Sequence, residues 1–292
     1  PDPYNYDPRV ESALNALEVS GVTPGIPNRS CGEIREFGAQ PEKVLQTTNA
    51  IASAVQMCSE QGGGRVTIPS GTWEVYPFSL ASRVELFFDD GATLVFGNDF
   101  ERYGSPIPWR FEGVRTIMTP PLISCVRCVD VAIRGNGIID GNGAIWQPYA
   151  ENELWWFETL YNESENREDV ADRTQYSLPE ASFRPEVVGI SRSANVIMEG
   201  VSIVNAPRTA VRILMSRNVM IDGVVLSTEM SEGDALVLDS SDTVYVRNAR
   251  LESALGEGVE LQSGLNAEGN GMDEYPLSNI VIEAVEVPRA RH

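Results

Sequence analysis

The sequence predicts an all-β fold, a right-handed parallel β-helix closed at its start by one helix. Three observations carry that prediction: short β-branched runs recur in one context, their spacing is a coil length, and a lone amphipathic helix precedes them. The runs are 129–135 (VDVAIRG), 194–200 (ANVIMEG), 217–223 (RNVMIDG), 242–248 (DTVYVRN) and 278–283 (SNIVIE). From Val196 to Val219 is 23 residues and from Val219 to Val244 is 25. A coil of three short strands cannot bury its inward face alone. Stacked coils share one core and pair along the axis at about 4.8 Å. A β-sandwich would instead need antiparallel meanders with a strand every 8 to 12 residues or so and no longer period.

In chain order, residues 1–33, with Pro1, Pro3, Pro8, Pro24 and Pro27, are expected to form an arm along the surface of a single domain spanning 34–292. The capping helix is predicted from Thr48 to Glu60. Ile51, Ala54, Val55 and Cys58 make one apolar stripe, Thr47 or Thr48 is the expected N-cap, and Gly62, Gly63 and Gly64 end it. The stretch 146–183 breaks the rhythm with Trp155, Trp156, Phe157 and many acids, and reads as an inserted loop or helical excursion. Paired tryptophans of this kind are expected to anchor it, with stacking on sugar as the rival role. Asn195, Asn218 and Asn279 occupy equivalent turn positions. Two readings stay open for them: amide bonds to the next coil, or tolerance of left-handed backbone. The last rung is followed closely by His292 with no covering helix, so either further chain or a second subunit is expected on that edge.

Composition narrows the function. With 22 Lys+Arg against 42 Asp+Glu the formal charge is −20, which excludes a general nucleic-acid binder, and no run approaches the roughly 18 apolar residues of a membrane span. Lys43 is the sole lysine. The four cysteines, Cys31, Cys58, Cys125 and Cys128, with sequons at Asn28 and Asn162 in polar, loop-like surroundings, favour an extracellular setting and a Cys31–Cys58 bridge; four reduced thiols are the alternative. Cys125 and Cys128 have no second ligand pair in the sequence, so no zinc, and no other metal or cofactor, is expected.

Several blocks resemble the polygalacturonase-like glycoside hydrolases of family 28. They are Glu36-Phe37-Gly38-Ala39, Gly62-Gly63-Gly64-Arg65-Val66 through Trp73, Gly135-Asn136-Gly137-Ile138-Ile139-Asp140-Gly141, Arg184-Pro185, and Asn205-Ala206-Pro207 before the Arg217 coil. The resemblance spans roughly 34–286 and implies inverting hydrolysis of a pectic galacturonan or rhamnogalacturonan without a metal. The family's Asn-Thr-Asp-Gly is similar to Glu232-Gly233-Asp234-Ala235, so the aspartate carries over. Its Gly-Asp-Asp corresponds to Leu255-Gly256-Glu257, which puts Gly256 at the position of the implied general acid and Glu257 at the second. Gln262 stands where the family has the lysine of Lys-Ser-Gly, and His292 lies near the expected Gly-His-Gly.

Without the family, Asp234 and Glu257 are 23 residues apart, one coil, and should share a face on adjacent rungs. Like charges so placed separate two pKa values into an acid and a base, with Asp234 expected as the general base that activates water and Glu257 as replacement acid or second base. Glu232 would project beside Asp234 if the segment is a strand. Arg208, Arg212, Arg289 and Arg291 are candidates to bind an acidic polysaccharide. The rival readings are a catalytically degenerate β-helix that binds glycan or serves assembly, and, more weakly, a lyase.

Overall fold

The computed structural model describes residues 24–166, 169–177, 183–228, 232–263 and 276–288. Among them, three parallel sheets of eight, six and six strands stack coil on coil. The first sheet runs from Ser30–Glu33 through Val129–Gly135, Ala194–Glu199, Arg217–Asp222 and Asp242–Arg247 to Ser278–Glu283. The second runs from Gly71–Val75 to Arg250–Ser253. The third, which positions the site, contains Phe78–Ser79, Ile123–Val126, Val188–Ser191, Val211–Leu214, Leu236–Asp239 and Val259–Gln262. Its strands hold one register, Val188 beside Val211, Val211 beside Leu236, and Leu236 beside Val259. The parallel β-helix is the observed fold.

Alternation explains the core. Val188, Ile190, Val211, Ile213, Leu236 and Leu238 point inward and are at most 1% exposed, so each rung buries the apolar face that its neighbour needs covered. Both readings of the turn asparagines hold together. Asp130, Asn195, Asn218, Thr243 and Asn279 all have φ between 53° and 61°, and Asn218 Nδ2 donates to Asn195 Oδ1 at 2.7 Å while Asn195 Nδ2 donates to Asp130 Oδ1 at 2.8 Å. A second ladder, absent from the sequence reading, is built from buried serines. Cys128, Ser193 and Ser216 each donate a backbone N–H to the hydroxyl of Ser193, Ser216 and Ser241 on the following rung, at 3.0, 3.1 and 3.1 Å.

The capping helix, α1 (Val44–Glu60), buries the expected stripe but starts a turn earlier than predicted, with Lys43 at its N-cap. Thr47 and Thr48 do not cap it. The Thr47 hydroxyl is engaged by the Gln40 backbone and that of Thr48 donates to the Val44 carbonyl at 2.8 Å, so both hydroxyls serve neighbouring turns. Gly63 closes the helix at φ 104°, and a Cβ there would lie 2.3 Å from the Arg83 carbonyl oxygen. Cys31 and Cys58 are joined, tying a first-sheet strand inside the expected arm to α1, and Cys125 and Cys128 form a second disulfide rather than a metal site. Residues 1–23 of the arm lie outside the described residues.

The excursion is helical. α2 (Gln147–Glu165) pairs with an antiparallel hairpin, Ile107–Phe111 with Val114–Met118, that the sequence did not announce. Together they lay a second core on the outer face of the third sheet, with Trp109, Phe111, Met118, Leu160 and Phe183 packed around Leu214. The two tryptophans meet edge-on at 4.6 Å between ring centroids, Trp156 also packs edge-on to Tyr176, and Trp155 is 58% exposed. Asn28 is exposed as expected. Asn162 is exposed too, but it sits within α2 with the Ser164 hydroxyl turned in to the Tyr161 carbonyl at 2.7 Å, so that sequon is not in a loop.

Candidate active site

The outer face of the third sheet carries charge in columns, because every second residue of each rung points out. Glu186, Arg212, Asp239, Glu260 and Gln262 belong to it, with Arg208 and Asp234 at the entry to their strands. Where the hairpin and α2 cover the face, these groups pair in ion contacts away from solvent. Arg212 Nε donates to Glu186 Oε1 at 2.8 Å, Arg110 Nη1 to Asp239 Oδ1 at 2.8 Å, and Arg184 Nη2 to Glu153 Oε2 at 2.7 Å. Arg208 bridges Glu112 and Glu153. Burial raises the Glu112 carboxyl, but the Arg208 and Arg212 guanidiniums outweigh it and hold the group below the ordinary range.

Beyond the cover, Asp234 and Glu257 stand on adjacent rungs as predicted, but their contact differs from the prediction. The backbone N–H of Glu257 donates to Asp234 Oδ1 at 2.6 Å, and the Glu257 side chain is exposed. The carboxyl coupled to Asp234 is Glu260. Burial, a hydrogen bond with Asp234 and repulsion from Glu112 and Asp234 push Glu260 up to about 7 against a smaller opposing pull from Arg212. Glu260 Oε1 accepts from Gln262 Nε2 at 2.5 Å, and Gln262 Oε1 accepts from Arg212 Nη1 at 3.2 Å. Oε2 is buried with no donor. A proton on Glu260 satisfies the pair, because it lets one carboxyl donate to the other.

The other expected residues divide. Arg212 has no exposed surface, so it does not meet a polymer; it orients Gln262 and through it Glu260. Arg208 is largely neutralised by its two glutamates. Glu232 is exposed and lies on a bend rather than a strand, so alternation does not bring it beside Asp234. Arg289, Arg291 and His292 lie outside the described residues. Glu260 was missed, although the alternation Val259-Glu260-Leu261-Gln262 places it outward, in register with Val237.

Gly256, at the position of the implied acid, has no room for a side chain. A Cβ there would lie 2.6 Å from the Gly233 carbonyl oxygen and 2.8 Å from Asp234 Oδ1. The Gly233 carbonyl is itself fixed by the Thr228 hydroxyl at 2.7 Å and the Ser253 hydroxyl at 3.0 Å.

Comparison with known proteins places this arrangement. A probable polygalacturonase of Vitis vinifera is 26% identical over 273 residues, covering 91% of this chain and 49% of that protein. The exopolygalacturonase of Thermotoga maritima superposes with a TM-score of 0.83 at 27% identity, covering 95% of this chain and 63% of that one. The chain is polygalacturonase-like. The family 28 exopolygalacturonase of Yersinia enterocolitica, at 17% identity and a TM-score of 0.68, shares the fold. No family model matches the chain. The chain spans about half the length of the curated relatives it matches. Around Asp234 this polygalacturonase-like chain carries a glycine at 256 and a glutamate at 260.

Proposed function

We propose that the chain belongs to a secreted glycoside hydrolase that cleaves a pectic galacturonan by acid/base hydrolysis with inversion. The observation that carries the reading is Glu260 at the open end of the third sheet, held through Gln262 by buried Arg212 and raised to about 7 by burial and by Asp234. Two relatives named for polygalacturonan cleavage supply the substrate class. Two disulfides suit an oxidising compartment.

In the proposed chemistry the glycosidic oxygen takes the proton from Glu260 as the bond to the anomeric carbon breaks. Water attacks that carbon from the opposite face and yields its proton to Glu257, the exposed carboxylate one rung from Asp234. An inverting enzyme needs about 6.5–9.5 Å between acid and base to hold that water. Asp234, which helps to raise Glu260, acts with it as one acid unit. Asp234 therefore exchanges the role of base, expected from the sequence, for that of the partner that keeps Glu260 protonated near neutrality.

The experiment is reducing-end release from polygalacturonate and rhamnogalacturonan by wild type, Glu260→Gln, Asp234→Asn and Glu257→Gln, with NMR of the first-formed anomer. Loss of about 10²-fold or more in kcat in each variant, with an inverted product, supports the reading. Equal turnover in all four proteins, or a wild type inert on both polymers, overturns it. Gly256 favours a second reading, a degenerate glycan-binding relative, because the implied acid position is sterically closed. Binding without turnover is its signature.

A further inference from the structure

Two clefts meet at the turn that leads from the third sheet into the first, at the end of the third-sheet strands opposite to Asp234. One, of about 670 Å³, passes the first residues of five successive first-sheet strands, from Val129 to Ser278. At about 4.8 Å per rung those four steps span roughly 19 Å, enough to seat an extended polymer segment. The other, of about 440 Å³, lies over Ser79 and Ser124 on the early rungs of the third sheet. Arg192 lines both clefts, Arg115 the first and Arg127 the second, so the three arginines mark where the clefts join.

Two of these arginines are unlike most others in the chain. Arg65, Arg110, Arg184, Arg208, Arg212, Arg247 and Arg250 each hold a carboxylate within 4.0 Å. Among the described residues, Arg127 and Arg192 make no such contact, in a protein with 42 acidic residues. Arg192 feels burial and then the charges of Arg127 and Arg115, which together hold its pKa below the ordinary arginine value. Backbone conformation adds a separate cost. Arg127 and Arg192 have φ of 58° and 49°, a left-handed conformation that costs an ordinary side chain on the order of 1–2 kcal/mol and that glycine or asparagine adopts readily. The two are stacked on consecutive rungs, with the Arg127 N–H on the Ser191 carbonyl and the Arg192 N–H on the Leu214 carbonyl. Asp242, the acid in the larger cleft, is turned to the Ser278 hydroxyl at 2.6 Å and the Asn279 amide at 2.7 Å. Like charges stacked on strained turns without a counter-ion are a local cost that an anionic ligand would offset.

We infer that this turn edge is a second glycan site, separate from the acid pair, that grips the carboxylates of a polyuronate strand through Arg127, Arg192 and Arg115. The identity of the ligand rests on the galacturonan reading; the requirement for negative charge does not. Exposed pairs are individually weak, and the site gains by engaging several carboxylates of one chain at once.

The test is calorimetric titration with polygalacturonate and with its fully methyl-esterified form, which keeps the backbone and loses the charge. Wild type is compared with the Arg127→Asn/Arg192→Asn double variant, whose asparagines suit left-handed backbone, so its thermal midpoint should hold or rise. The expected result is binding of polygalacturonate weakened about tenfold in the variant and a shallower salt dependence. The ester should bind both proteins equally poorly, and on the polymer KM should rise at unchanged kcat. Equal affinity of both proteins for polygalacturonate, or equal affinity of wild type for acid and ester, overturns the site. A wild type that binds in this charge-dependent way but releases no reducing ends overturns the hydrolase reading alone. Hydrolysis that is indifferent to the two arginines, with affinity also unchanged, overturns only the turn site.

Discussion

Glu260→Gln is the perturbation on which the rebuilt site can be judged without a substrate. The folded chain holds this carboxyl at about 7 against a reference of 4.5. A raised carboxyl pKa means that the folded state binds the proton more tightly than the unfolded one, so its contribution is complete below about 4.5 and is lost as pH rises through about 7. At about 1.4 kcal/mol per unit the ceiling is roughly 3 kcal/mol, and solvent reaching the group reduces that to about 1–2 kcal/mol. The glutamine amide can still donate to Asp234 but never becomes a second negative charge beside it. The variant should therefore match wild type at pH 4.5 and exceed it at pH 8, by about 3–6 °C in thermal midpoint for a chain of this size. Differential scanning calorimetry at four pH values across that window measures the gap. A gap that stays constant with pH would mean that Glu260 carries no shifted proton, and both the acid pair and the role given to it would fall.

The same contacts yield further expectations. Gly256→Asp, which restores the family's implied acid in sequence, should destabilise by about 2–3 kcal/mol and raise no activity, because its Cβ meets the Gly233 carbonyl oxygen at 2.6 Å; denaturant titration with the reducing-end assay reads both. Arg212→Met leaves Glu186 buried without its cation and should cost about 3–5 kcal/mol; carboxyl NMR should also show the Glu260 titration moving upward, since Arg212 lowers it. Thr243→Asn should stabilise by about 0.5–1 kcal/mol, replacing a β-branched residue at φ 56° with one that suits that backbone, and thermal melts would detect it. Cys31→Ser should cost about 3 kcal/mol by opening a 27-residue loop, seen as a lower denaturation midpoint that reducing agent shifts less than it shifts wild type, since only Cys125–Cys128 is left to reduce.

The coil was legible because its signals are local and repeated. A one-residue slip would turn Val211 and Ile213 outward, so each rung writes its own alternation into the sequence. The asparagine turns were legible for the same reason, and the structure gives them both of the roles left open. The hairpin and α2 were not, since strands Ile107–Phe111 and Val114–Met118 pair only with each other and follow no coil period. At the site, the spacing of Asp234 and Glu257 gave the right rungs and did not point to Glu260. Spacing fixes where a backbone stands; the pairing of carboxyls depends on burial, and what decides it here is a covered face whose Arg212 and Gln262 reach Glu260 rather than Glu257.

That cover explains why a protein with charge −20 spends arginines on its own glutamates. A bare third sheet would present Glu186, Asp239 and Glu260 to water. Burying ion pairs is weak support for stability, because desolvation opposes the attraction. Its consequence here is geometric. Arg212, with Glu186 on its Nε and Gln262 on its Nη1, cannot turn to solvent, and Gln262 then has one amide hydrogen-bond donor group left for Glu260. The hairpin and α2 thus do more than fill space: they convert a solvated acidic wall into a fixed relay that ends at the open rung. The same argument separates the two glycan contacts proposed for the molecule. Arginines inside the network are committed to orienting the acid pair, and Arg127 and Arg192 at the far turn, which make no carboxylate contact among the described residues, are the ones with charge to offer a polyuronate.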